Sequence, residues 1–100
     1  MGLDERQKAL HKAIETFLHA NAYMPERFKR QLIDHKDLPR NILVREGLTE
    51  AIRDSSLSVG SFEGLTNSLL DTQDEVDEWL GHLWRYVYED GPDPYEAMGQ

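Results

Sequence analysis

One hundred residues, 39% apolar and 30% charged, define one small domain with a single modest core; folding buries roughly 65% of the surface such a chain exposes when unfolded. No cysteine is present, which excludes a disulfide framework and a thiolate metal site and suits a reducing cytoplasm. No apolar run approaches the ~20 residues of a membrane span, and the stretch from Met1 to Lys8 holds no apolar core of a signal peptide, so a cytoplasmic protein without a membrane partner is expected.

The net charge of −8 is unevenly divided. Residues 1–50 carry nine basic and eight acidic side chains, whereas residues 51–100 carry two basic (Arg53, Arg85) and eleven acidic ones. Such a half repels phosphate and attracts basic surfaces.

The first predicted element is an amphipathic helix from Leu3 to Ala20. Leu10, Ala13, Ile14, Phe17 and Leu18 follow the i, i+3, i+4, i+7 rule. Asp4 and Gln7 have the spacing of a capping box, and Asn21 suits a helix stop. A second helix opens at Pro25, where a missing N–H is harmless. Tyr23 and Phe28 occupy its staple positions, and Met24, Phe28, Leu32 and His35 share a face. Pro39 disfavours helical geometry at Leu38 and ends it there. Arg40 to Asp54 reads as a third helix through Val44, Leu48, Ala51 and Ile52. The run Ile42-Leu43-Val44 would also suit a strand, but no second strand exists to pair its backbone.

Asp54 to Gly60 is a Ser-rich loop. Ser61 is expected to cap a short fourth helix carrying Phe62, Leu65, Leu69 and Leu70, weakened by Gly64 and Asn67. Thr72 and Glu75 form a second capping box. It opens a helix with a broad stripe of Val76, Trp79, Leu80, Leu83, Trp84 and Val87, ended by Gly91-Pro92. The expected fold is therefore an all-α, single-domain bundle of four to five helices with short loops over residues 1–91. A mobile acidic tail is expected over 92–100.

The acids Asp71, Asp74, Glu75, Asp77 and Glu78 open the last long helix, where carboxylates complement the helix dipole. The dipole needs one or two of them; five repel one another, and a basic partner relieves that repulsion. Glu89, Asp90, Asp93 and Glu96 extend the surplus. The same stretch reads either as dipole complement or as a binding face. Tyr86 and Tyr88 flank the stripe, as core or as interface anchors.

Other chemistry finds little purchase. His11, Glu15 and His19 lie on one helix edge, but no fourth ligand and no HExxH pattern accompany them, so a solvated edge is expected and no metal. No calcium loop, phosphate loop, nucleophile elbow or Ser-His-Asp pattern is present, so neither enzyme activity nor a cofactor is expected. The bases Arg27, Lys29, Arg30, Lys36, Arg40 and Arg45 are interspersed with acids, unlike the basic excess of nucleic-acid domains. Leu48 to Leu65 lacks the tight turn of a helix-turn-helix.

The expected function is a non-enzymatic protein-binding module, an acidic inhibitor or regulator covering a basic surface of another protein, such as one that binds nucleic acid. Its contact residues are expected at Asp74, Asp77, Glu78, Tyr88, Glu89 and Asp90. Small inhibitors, immunity proteins, phage antagonists and nucleic-acid mimics share this charge profile, a likeness of composition alone. The alternatives are an oligomerising module, with the Trp79/Trp84 stripe as dimer seam, and a nucleic-acid regulator acting through the second and third helices. Monomer and homodimer both fit.

Overall fold

In the computed structural model, which describes residues 4–99, every regular element is helical: α1 (Glu5–Phe17), a single 3-10 turn (Ala20–Ala22), α2 (Pro25–Asp34), α3 (Pro39–Asp54), α4 (Val59–Thr66), α5 (Gln73–Tyr88) and α6 (Pro94–Ala97). The all-α expectation holds, with six α-helices in place of four or five. Residues 42–44 lie within α3, and among the described residues there is no strand.

α1 packs chiefly against α3. The approach is close because position 47 has no side chain: a Cβ on Gly47 would lie 2.4 Å from the carbonyl oxygen of Arg6. The buried Gln7 spans the junction, its amide donating to the Gly47 carbonyl at 3.0 Å and to Glu50 Oε1 at 3.3 Å. Arg6 pairs with the same Glu50. Gln7 was expected to close a capping box. Asp4 does cap α1, accepting from the Gln7 backbone N–H at 2.9 Å. The Gln7 side chain, however, reaches across to α3, because a buried amide gains more from buried partners than from a solvated cap. α1 stops at Leu18, short of the expected Ala20, and the expected start at Leu3 lies outside the described residues.

Each proline before α2 and α3 stands at the first helical position. α2 ends at Asp34, so Pro39 opens the next helix rather than closing this one, and His35 faces solvent instead of joining Phe28 and Leu32 inside. The α3–α4 loop is shorter than expected. Ser58, not Ser61, caps α4, accepting from the Ser61 N–H at 3.1 Å, and Leu57 in the loop is fully buried. α4 ends at Asn67 in the left-handed conformation, leaving Leu69 outside the helix and 67% exposed.

α5 is the central buttress. Val76, Trp79, Leu80, Leu83 and Val87 are buried, while Trp84 is half-buried. Trp79 meets Phe62 edge-on at 4.9 Å between ring centroids and Tyr95 at 5.7 Å. At its end Asp90, rather than Gly91, takes positive φ, and the Gly91 N–H returns to the Arg85 carbonyl at 2.8 Å. The segment after Pro92, read from sequence as a tail, carries α6. Asp93 caps it, Pro94 is buried, and Tyr95 packs between Trp79 and Tyr23. The Tyr23 hydroxyl donates to Asp93 at 2.5 Å, which fastens this end to the α1–α2 connection.

Candidate functional site

With its apolar stripe turned inward, α5 presents Asp74, Glu78, His82, Arg85 and Glu89 along one face, spaced by three and four residues. Asp74, Glu78, Arg85 and Glu89 are exposed; His82 is half-buried. The face is not uniformly negative. Glu78 Oε1 lies 3.9 Å from His82 Nε2, and Arg85 Nη1 lies 3.2 Å from His82 Nδ1. Fifteen residues separate Asp74 from Glu89, a helical rise of about 22 Å. The acids expected at one pole therefore occupy two ends of α5.

The six residues expected to bind a partner have different surroundings. Asp74 and Glu78 stand exposed on the amino-terminal half of α5. Asp77 is half-buried and turned to internal work: it accepts from the Ser55 hydroxyl at 2.6 Å and from the Gln73 amide at 2.9 Å. Gln73 in turn donates to the Leu57 carbonyl at 2.7 Å, so these groups pin the α3–α4 loop. Asp90 accepts from Lys29 at 2.7 Å, which holds its carboxyl below the usual carboxylate range. Lys29 also lies 5.3 Å from the centre of the Tyr86 ring. Tyr88 stacks on Trp84 at 4.4 Å, and burial pushes its hydroxyl up to about 12, against a small opposing pull from Arg45. Tyr88 thus borders a surface that also holds Lys36 and Arg45. Glu89 is exposed at the far end.

Among the described residues, the Lys29–Asp90 bridge is the one ion pair joining the basic half to the acidic half; the others lie within a half. Asp71, Asp74 and Glu78 have no lysine or arginine at ion-pair distance among those residues. Glu75, their neighbour, is occupied by the cap, its N–H and carboxylate both bonded to Thr72. Asp71 and Leu69, both exposed, lie in the connection that leads into α5. Sequence reasoning placed Leu69 on a helix face; only the early end of α4 turns it outward.

His19 Nδ1 accepts from the Asn21 N–H at 3.1 Å, and among the described residues no three metal-binding side chains come together. No described helix is long and apolar enough to cross a membrane. Trp79 is fully buried against its own core, which withdraws it from any dimer seam. Set against family models, curated proteins and solved structures, the chain matches none.

Proposed function

We propose that this chain is a non-enzymatic binding module that presents the amino-terminal corner of α5, through Asp71, Asp74 and Glu78, to a basic surface of another protein. The observation that supports this reading is that, among the described residues, none of those three exposed carboxylates has a lysine or arginine at ion-pair distance, Glu78 meeting only His82 at 3.9 Å, in a half-chain with eleven acids and two bases. Leu69, the most exposed large hydrophobic described, lies two residues before Asp71 in the chain and would offer an apolar contact to the same partner. The action is occlusion: carboxylates occupy a positively charged groove in place of phosphates or an acidic substrate, and the long-range field speeds encounter. Asp77 and Asp90 contribute charge to that field but are held by internal donors.

The test is a charge reversal, Asp74→Arg with Glu78→Arg, both on exposed positions. The wild-type chain is expected to retain a basic protein from source lysate at low salt and release it at high salt. The doubly reversed chain, folded by circular dichroism, should lose it. An unchanged set of retained proteins would refute the proposed face.

A further inference from the structure

Away from the residues of α5, α1, α2 and α3 leave a cleft of about 190 Å³ between them, lined by none of that helix's side chains. Its walls are apolar: Ala9, Ala13, Phe17, Phe28, Leu32 and Val44. Three of these (Phe28, Leu32, Val44) belong to the buried core, so the cleft reaches the interior. Protein interiors tolerate few voids larger than a water molecule, and an apolar cavity of about 150 Å³ is enough to take up benzene.

The charge of the lining runs against that of the chain. Nineteen acids and eleven bases make up the charged residues, yet the cleft is bordered by no acid and by two bases, Lys12 from α1 and Arg40 from α3. Both are exposed, and among the described residues neither has a carboxylate at ion-pair distance. Gln31, Asn41 and Thr16 supply the remaining polar groups. An apolar chamber with two free cations at its border matches one ligand shape: an apolar body ending in a single anionic group.

We infer that the α1–α2–α3 cleft binds a small amphipathic monocarboxylate, of the size of a medium-chain fatty acid. Arg40 takes the carboxylate through its planar guanidinium fork, which suits bidentate pairing. Lys12 adds a second charge from the facing helix. The alkyl chain lies against Phe28, Leu32 and Val44 and is withdrawn from water, at roughly 0.8 kcal/mol per methylene. The carboxylate stays at the mouth, where no buried charge has to be desolvated. The inference is independent of the acidic corner of α5, since it uses neither that helix nor those residues.

The probe is octanoate, titrated into the ¹⁵N-labelled protein and followed by amide shifts. The expected result is saturable movement at Ala13, Phe28, Leu32 and Val44, with a Kd between about 10 μM and 1 mM for a ligand of this size. The alcohol 1-octanol, with the same chain and no charge, should bind at least about tenfold more weakly. Lys12→Gln with Arg40→Gln, both surface changes, should weaken octanoate by at least about tenfold and leave 1-octanol unaffected, a loss of ~1.4 kcal/mol. Absence of saturable shifts at the cleft would overturn the inference. So would equal affinity for octanoate and 1-octanol, or unchanged octanoate binding by the double variant.

Discussion

His11 illustrates how burial alone ties one side chain to the pH dependence of stability. It lies half-buried on α1 with Nε2 shielded from solvent and without a hydrogen-bond partner among the described residues. Burial disfavours its charged form and lowers its pKa below the ordinary 6.5. The unfolded chain therefore binds a proton at this site that the folded chain refuses. By linkage, the stabilisation is complete above pH 6.5 and is lost as pH falls from there through the folded value. Asp54 and Asp90 act in a separate, lower window: their carboxyls are held below 3.8 by Arg53 and Lys29, so their contribution fades only as pH falls below that value. Urea midpoints at pH 7.5, 6.0 and 5.0 should drop for the wild type, and His11→Gln should flatten that drop. An identical slope in both proteins would contradict the assignment.

Among the helices, local signals and tertiary demands separate cleanly. α5 was legible because its start and its buried face are written in consecutive residues, the Thr72 cap and a continuous 3.6-period stripe; its end was less so, since Asp90 and not Gly91 takes the left-handed turn. Gln7 misled because its partners lie 40 and 43 residues away, and no local pattern registers them. The candidate site divided for the same reason. Five acids look alike in sequence, but Ser55 occupies Asp77 from 22 residues away and Lys29 occupies Asp90 from 61. Only the packing of helices sorts committed carboxylates from free ones. The α1–α3 junction gives the sharpest test at this scale. Helix propensity alone favours alanine over glycine by about 1 kcal/mol. Gly81, with open space around its Cβ position in the middle of α5, should gain up to about that amount as Gly81→Ala. Gly47→Ala should do the opposite. The new methyl would meet backbone carbonyl atoms of Arg6 at 2.4 and 2.9 Å, which yield only if the helices part. A loss of about 1–3 kcal/mol is expected, the usual cost of overpacking, and chemical denaturation of both variants measures it. A stabilised Gly47→Ala would mean that α1 and α3 are not held at this separation.

For the molecule as a whole, the governing quantity is an electrostatic field that the fold leaves largely uncompensated. The principal extents are 34 × 34 × 26 Å. At 10 mM salt the screening length is about 30 Å, so nearly every carboxylate feels every other; at 150 mM it is about 8 Å, and only neighbours interact. With one bridge between the two halves among the described residues and a net charge of −8, that field opposes compaction. Adding salt should therefore stabilise the free protein, by on the order of 1 kcal/mol if several like-charge pairs each relax by a few tenths. The same addition should weaken the proposed complex, in which the field is an attraction. Stability and association thus have salt dependences of opposite sign. Asp74→Arg with Glu78→Arg, by removing the densest part of the surplus, should flatten both. Urea melts across 10–200 mM salt measure the first, and association rates with the captured partner measure the second. A free protein that loses stability with added salt would show that its charges are on balance internally paired, and the reason to seek a basic partner would go with it.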